Sequence, residues 1–196
     1  MSNRRIAVVV GILFFTQLIT FMIGSSLIQT YLDGDAGKAT LNLGVVLEMC
    51  SGIAVVAIGL LMYRVLKAVN RKWALGYPIM RIAEFVVSAI LAIYLLSQLQ
   101  EFSNHLLWVY IPTGIGGLIL NYLLFVSRLI PRPISVLGLV GYALLLLGVP
   151  LDLFGALDLS GGAGLAMLAP GGLFEFIVLP IWLIAKGFRS PVARSA

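Results

Sequence analysis

Charged residues are scarce in this chain: Lys, Arg, Asp and Glu together make up 11% of its 196 residues. Soluble domains carry about 25% charged and about 45–50% apolar residues, whereas 61% of this sequence is hydrophobic. So little charge cannot cover a water-facing surface. The composition therefore excludes an ordinary soluble globular protein, a disordered tail and a nucleic-acid-binding module. It indicates a protein that crosses a membrane several times.

Cysteine and histidine are nearly absent, with one residue of each, Cys50 and His105. A single cysteine forms no disulfide within the chain, and one Cys with one His cannot build a zinc site of the usual type. We expect His105 in a loop. The sequence shows neither a Ser/His or Cys/His pairing nor an H-E-x-x-H motif, so we predict no catalytic residues and no metal ligands. An enzyme is the less favoured interpretation.

Six apolar runs are long enough for transmembrane helices, which need about 20 mostly apolar residues. The predicted fold is all-α, a bundle of six transmembrane helices in a single domain covering residues 1–196. The first run is too long for a signal peptide, so we expect it to be retained. The sixth helix is expected to begin near Pro170, because proline suits a first helical turn. The predicted spans are residues 6–27, 41–66, 73–99, 106–126, 134–154 and 170–186.

The basic residues predict the orientation. Eleven of the 13 Lys and Arg residues fall on one side when the loops are assigned alternately to the two sides of the membrane. Basic residues collect in cytoplasmic loops, so both termini are predicted to be cytoplasmic, in the inner membrane of a bacterial cell. The eleven are Arg4, Arg5, Arg64, Lys67, Arg71, Lys72, Arg128, Arg132, Lys186, Arg189 and Arg194.

Four ionisable residues remain inside the predicted spans: Glu48, Arg81, Glu84 and Glu175. Each costs a few kcal/mol at the bilayer centre, and such residues usually face the bundle interior and pair there. With the helical rise of about 1.5 Å per residue, all four are expected in the middle and outer half of the bundle. We therefore predict one polar zone that these residues share.

The third span shows the clearest pattern. Tyr77, Arg81, Glu84 and Ser88 follow one another at steps of three or four residues and therefore lie on one helical stripe. Arg81 and Glu84 can pair within the helix. In the fourth span, Asn121 adds a polar group to a glycine-bearing face.

Glycine and proline predict where helices pack and bend. Gly52 and Gly59 share one face of the second span, which permits close approach of another helix. Gly114 and Gly117 mark a packing or bending point in the fourth span. Pro180 is expected to kink the sixth span and to free a backbone carbonyl.

The charge count leaves two hypotheses open. Three carboxylates and one guanidinium, all ionised, would leave two uncompensated negative charges in a low dielectric. At least one glutamate should therefore be protonated, share a proton or hold a cation. On the first hypothesis the glutamates form a proton- or cation-responsive site with the arginine as fixed counter-charge; on the second they only hold helices together. The candidate site is Glu48, Arg81, Glu84 and Glu175, with Tyr77, Ser88 and Asn121 as supporting polar residues.

Four stretches carry further motifs: residues 47–67, which begin Leu47-Glu48; residues 74–84, which read ALGYPIMRIAE; residues 127–138, which read SRLIPRPISVLG; and residues 174–188. Together they resemble a bacterial family of six-span membrane proteins catalogued as a domain of unknown function, family 4386. The resemblance covers nearly the whole chain. It implies that the four buried ionisable residues fall on characteristic motif positions, but it implies no activity.

Two functions fit these features. The first is transport or binding of a small molecule or ion, linked to protons, through the buried Glu/Arg site. The alternative is a non-catalytic subunit or assembly factor of a larger membrane complex. The expected partners are the lipid bilayer and a second copy or a membrane-complex subunit, but no nucleic acid. No residue pattern specifies a cofactor.

Overall fold

The computed structural model describes residues 2–102 and 104–189. Every regular element in these residues is helical, which confirms the all-α fold, and six spans are long and apolar enough to cross a membrane. The first five spans are single helices, and the sixth consists of two helices joined by a π-helical turn. The elements are α1 Asn3–Leu32, α2 Lys38–Leu66, α3 Arg71–Gln98, α4 His105–Ser127, α5 Arg132–Leu153, α6 Gly162–Leu173, the π turn Phe174–Val178 and α7 Leu179–Ala185.

Several helices extend beyond the predicted apolar runs, and polar side chains cap the starts of two of them. At the start of α1, the Ser2 hydroxyl accepts a hydrogen bond from the Arg5 amide at 3.3 Å. At the start of α3, Asn70 Oδ1 accepts from the amides of Lys72 and Trp73 at 3.1 and 3.2 Å. Each of these side chains satisfies backbone donors that the helix itself leaves unpaired.

The sixth span differs from the prediction at its start. It begins at Gly162, not near Pro170, and continues through that proline. A helix that ended early inside a membrane would leave unpaired backbone groups, which cost several kcal/mol each. That cost exceeds the roughly 1 kcal/mol by which glycine disfavours a helix. A π turn lies directly before Pro180, and in it the Leu179 amide donates to the carbonyl of Phe174. The kink expected at Pro180, with its freed carbonyl, stays a prediction.

The spans pack in chain order. Each of α1 to α5 packs against the next, α6 packs against α5, and α7 packs against α1. The sixth span therefore changes neighbours along its length, and the π turn lies where the change occurs, in contact with both α1 and α5. The result is a closed ring whose interior holds the polar side chains.

Glycines set the closest helix crossings. A Cβ on Gly24 of α1 would lie 2.8 Å from the carbonyl oxygen of Gly44 of α2, and the reverse distance is the same. A Cβ on Gly59 would lie 3.1 Å from Cβ of Arg81 in α3, and Gly52 faces the ring of Phe85. These contacts confirm the predicted role of Gly52 and Gly59 in close helix packing.

The end of the bundle at which α1 begins and α7 ends also carries most of the described basic residues. There the Arg4 guanidinium donates to the carbonyl oxygens of Leu183 at 3.2 Å and Ile184 at 2.7 Å, at the end of α7. A cation at a helix C-terminus is favourable because unpaired carbonyls collect there. This contact joins the first and last spans. Arg194, one of the predicted cytoplasmic cations, lies outside the described residues.

The loop between α5 and α6 lies at the opposite end and is held by its own hydrogen bonds. Asp152 Oδ2 accepts from the Leu159 amide at 2.6 Å. Asp158 Oδ1 accepts from the Ser160 hydroxyl at 2.5 Å and from its amide at 2.8 Å, and these bonds lower the pKa of the Asp158 carboxyl. The loop is thus a structured rim rather than a loose connection.

Candidate functional site

Arg81 is the centre of a buried ion cluster. Its side chain is 1% exposed. The guanidinium donates from Nη1 to Glu84 Oε2 at 2.8 Å, from Nη2 to Glu175 Oε1 at 3.0 Å and from Nε to the Tyr77 hydroxyl at 3.1 Å. The predicted pair between Arg81 and Glu84 is therefore present, and α3 meets the π turn of the sixth span through the same arginine.

Both oxygens of Glu175 accept hydrogen bonds. Oε1 accepts from Gln17 Nε2 at 3.2 Å in addition to Arg81, and Oε2 accepts from the Tyr142 hydroxyl at 2.5 Å. The donors come from α1, α3 and α5. A carboxylate with three donors on three helices is fixed in place and connects those helices.

Glycines bring these elements close enough to meet. The ring of Tyr142 lies over Gly117 of α4, where any Cβ would collide with it. Gly141, beside Tyr142 on α5, contacts the backbone of Gly171 in α6. Larger residues at these positions would separate α4, α5 and the sixth span, and the Tyr142 hydroxyl would no longer reach Glu175.

A cavity of about 550 Å³ lies next to the cluster. It extends from Gln17 and Glu175 in the interior to Glu101, His105 and Ser160 at the rim opposite the termini. Four carboxylates line it, and within the described ranges no Lys or Arg does. Glutamates therefore supply the charge that lines the cavity, and Arg81 is not among the lining residues. The four carboxylates belong to Glu48, Glu84, Glu101 and Glu175.

Glu48 reaches the cavity but not the cluster. It lies on α2, half-buried, and a Cβ on Gly24 of α1 would be 3.0 Å from its Cγ. No described side chain makes a hydrogen bond to its carboxylate, and Arg81 pairs with the other two predicted glutamates instead. Three of the four predicted residues are therefore in direct contact, and Glu48 lines the neighbouring cavity without joining them.

The three supporting residues have different positions. Tyr77 contacts Arg81 as described above. The Ser88 hydroxyl donates to the backbone carbonyl of Glu84 at 3.0 Å and lines the cavity. Asn121 is fully buried at the contact of α4 with α5, donates to the carbonyl of Gly117 at 2.9 Å and packs against Gly138, so the structure does not place it among the cavity-lining residues.

Several residues that complete the site were not predicted from the sequence. Tyr142 was not singled out, although a tyrosine in mid-span, away from the interfacial belts where tyrosines usually lie, was an available signal. Gln17 is 7% exposed and connects the cluster to α1. Glu101 and His105 form a 3.5 Å contact at the rim of the cavity. The prediction of a loop position for His105 was wrong, because it is the first residue of α4.

One buried acceptor of the site has no protein donor. Gln17 Oε1 has no hydrogen-bond partner among the residues that the structure describes, and it is closed off from the cavity. Glu84 uses Oε2 for Arg81, and the Thr113 hydroxyl is a further hydrogen-bond partner of its carboxyl group. Glu84 and Thr113 both line the cavity.

The described part of the chain contains no group of three or more His, Cys, Asp or Glu residues close enough together to hold a metal ion. The carboxylates around the cavity are spread along its wall. The site thus has the form of an extended acidic cavity.

These features define a class of protein: a multi-pass helical membrane protein with an ion cluster beside an acidic cavity. The sequence profile of the family described as "Domain of unknown function (DUF4386)" matches residues 6–100 and 89–187. The chain belongs to that family, which confirms the resemblance seen in its motifs. No curated protein and no solved structure matches the chain.

Proposed function

We propose that this protein binds a small cation in the acidic cavity and exchanges it across its membrane for a proton carried on a glutamate. The observation that carries the proposal is the lining of the cavity, with four carboxylates and no Lys or Arg among the described residues. A cleft with low-dielectric walls and charge of one sign attracts counter-ions of the other sign. The membrane is the bacterial inner membrane, with cytoplasmic termini and a cavity that opens outward.

The charge balance supports a link to protons. Arg81 contacts two carboxylates, so the cluster carries one negative charge when Glu84 and Glu175 are both ionised. Glu48 adds a second negative charge at the cavity wall. One proton or bound cation on Glu84 and one on Glu48 remove the excess of two negative charges. Because proton and cation compete for the same carboxylates, binding of the cation releases the proton.

The sixth span supports movement rather than static binding. Its helix changes type at the π turn, and it changes neighbours from α5 to α1 at the same place. π-helical turns are frequent at functional sites, and transporters commonly build their substrate sites on interrupted helices. Glu175 belongs to this turn, so a change in its contacts would change the packing of the span below the cavity.

The experiment measures proton release from purified protein in weakly buffered detergent solution, followed with a pH indicator. The added salts are the chlorides of sodium, potassium, tetramethylammonium and 2-phenylethylammonium. We expect at least one cation to release protons from the wild type and Glu84→Gln to reduce the protons released per protein. Asp35→Asn is the control, because Asp35 is exposed in the turn between α1 and α2. No release with any cation, or equal release from the two variants, would refute the proposal.

A role as a subunit or assembly factor predicts a different result. Native mass spectrometry after gentle extraction would then show a second polypeptide in fixed stoichiometry. A monomer or homo-oligomer that releases protons on cation binding supports the proposal made here. A fixed partner, together with no response to cations, would overturn it in favour of the subunit role.

A further inference from the structure

We infer that this chain is an inverted repeat of two three-span halves, and that its site opens in turn to the two sides of the membrane. In the present structure the cavity reaches the rim, and the second opening is expected at the opposite end, between α1 and α7. This inference rests on the proposed function and deepens it, because exchange across a membrane needs a site that reaches both sides.

Two sequence patterns of the first three spans recur in the last three. Residues 52–59 of α2 read GIAVVAIG and residues 141–148 of α5 read GYALLLLG, so both follow the pattern G-x-A-x4-G. Residues 84–93 of α3 read EFVVSAILAI and residues 175–184 of the sixth span read EFIVLPIWLI, which are identical at five of ten positions. The two patterns begin 32 residues apart in the first half and 34 residues apart in the second. Apolar helices share single letters by chance, but the same order and nearly the same separation indicate a repeat.

The repeat is inverted in the membrane, because each half contains three spans and the second half therefore starts from the opposite side. Equivalent positions of antiparallel spans lie at the same depth only near the middle. Glu84 follows the first residue of its span, Arg71, by 13 positions, and Glu175 follows Gly162 by 13. The two equivalent carboxylates bind the two terminal nitrogens of one guanidinium, that of Arg81, at 2.8 and 3.0 Å. The phenylalanine after each glutamate lines the cavity. The equivalent residues thus have equivalent places around one site.

The two halves differ in the turns that follow the glutamate. In α3, Ser88 and Ala92 line the cavity, and so does Tyr110 of the neighbouring helix α4. The corresponding positions in the sixth span are Leu179 and Leu183, which are fully buried in the part of the span that packs against α1. The first half is thus open toward the rim, and the second half is closed toward the other end. Exchange of the two conformations closes the rim and opens the contact between α1 and α7.

An unpaired donor lies at the closed end. Trp182 Nε1 is buried and has no hydrogen-bond partner in the part of the chain that the structure describes. A buried donor without a partner destabilises the state that contains it. Trp182 corresponds to Leu91 of α3, which lines the cavity. A water-filled opening between α1 and α7 gives this indole N–H the partner that it lacks in the closed arrangement.

The test measures how readily water reaches single cysteines at the two ends of the site. The native cysteine, Cys50, is replaced by alanine, and labelling of the full chain by iodoacetamide in lipid nanodiscs is followed by intact mass. A thiol reacts as the thiolate, so a cysteine in a dry interior reacts slowly. The variants are Ala92→Cys at the present cavity, Leu183→Cys at the second opening and Met62→Cys as control. Met62 is fully buried near the end of α2, and within the described ranges no residue of α5, the counterpart of α2, lines the cavity.

We expect Ala92→Cys to react fastest. The minor state of a two-state protein commonly holds about 0.1–10% of the molecules, so Leu183→Cys should react at about that fraction of the Ala92→Cys rate and well above Met62→Cys. Tyr142→Phe removes a donor that holds Glu175 in the present state. It should therefore raise the Leu183→Cys rate by about fivefold, as the loss of one interhelical hydrogen bond would, without raising the rate of Met62→Cys.

Equal rates for Leu183→Cys and Met62→Cys, with and without Tyr142→Phe, would overturn the alternating site. A uniform rise of all three rates would also overturn it, because that result indicates general loosening. Should Leu183→Cys fail to fold, Leu179→Cys takes its place. If the second opening stays dry while cations release protons from the wild type, the alternation is wrong and the cation site stands. If Leu183→Cys reacts as expected while no cation releases protons, the proposed cation is wrong and the alternating site serves another substrate.

Discussion

Replacing Tyr142 by phenylalanine tests the ion cluster with the least disturbance. The ring would keep its place over Gly117 and its edge-to-face contact with Phe174, whose centroid is 6.2 Å away. Only the hydroxyl that donates to Glu175 Oε2 at 2.5 Å would be lost. The change therefore removes one hydrogen bond to a carboxylate and leaves the packing of the helices intact.

The expected loss of stability follows from the character of that bond. Interhelical hydrogen bonds in membranes contribute about 0.6 kcal/mol on average and about 1.7 kcal/mol at most. Hydrogen bonds to charged groups contribute about 1.5–3 kcal/mol in proteins generally. The bond from Tyr142 is short, buried and directed at a carboxylate, so we expect a value near the top of the membrane range, about 1.5 kcal/mol. For a chain of this length that lowers the unfolding midpoint by about 3–6 °C.

The assay is thermal unfolding in lipid nanodiscs, followed by tryptophan fluorescence. Tyr122→Phe is the matched control, because Tyr122 is 49% exposed on the outer face of α4; we expect it to change stability by less than about 0.5 kcal/mol. A double-mutant cycle with Glu175→Gln should give a coupling energy of about 1 kcal/mol between the two side chains. Equal midpoints for Tyr142→Phe and Tyr122→Phe, or additive effects in the cycle, would refute the assignment of Glu175 as a fixed, triply bonded carboxylate.

Two further predictions concern the packing of α1. Gly24→Ala should cost about 1–3 kcal/mol, because the new methyl group would lie 2.8 Å from the carbonyl oxygen of Gly44. Gly172→Ala in α6, whose new methyl group would meet only the Phe176 ring at 3.9 Å, should not lower the unfolding midpoint. Arg4→Gln should cost about 1 kcal/mol, since it removes the guanidinium from the carbonyls at the end of α7, whereas Arg5→Gln should be close to neutral. The same unfolding assay measures both pairs, and similar midpoints within a pair would contradict the packing argument for that pair.

The fold was predictable because hydrophobicity and length alone identify membrane spans. All six spans appear, and the order of the elements follows from them. The error lay at the sixth span, where a soluble-protein rule for proline predicted a start near Pro170 and the structure begins the helix at Gly162. In a membrane, the need to pair every backbone group outweighs the weak helix propensity of glycine. The π turn at Phe174–Val178 left no signal in the sequence other than the following Pro180.

The site was predictable only in part. Helical spacing gives the depth of a residue in the membrane and the face of the helix on which it lies, but not which residues of other helices it contacts. It placed Arg81 and Glu84 on one stripe correctly, and it placed Glu175 at a compatible depth. It could not show that Tyr142 meets Glu175, since that contact depends on how α5 crosses the sixth span at Gly141 and Gly171. The same limit explains Asn121, which shares a glycine-bearing face but points to the contact with α5 and not to the cavity.

Glu175 and Glu84 differ in how their carboxylates are held. Glu175 has both oxygens occupied by donors from three helices, which is the geometry of a group that holds helices together. Its charge and that of Arg81 cancel, so Glu84, which binds the same guanidinium through one oxygen only, carries the charge that is not balanced. The unbalanced negative charge of Glu84 lies at the wall of the cavity, where Glu48 adds a second carboxylate. A carboxylate in a low dielectric requires a proton or a cation near it. Because Arg81 balances the charge of only one of its two carboxylate partners, the cation that we propose would balance the other from the side of the cavity.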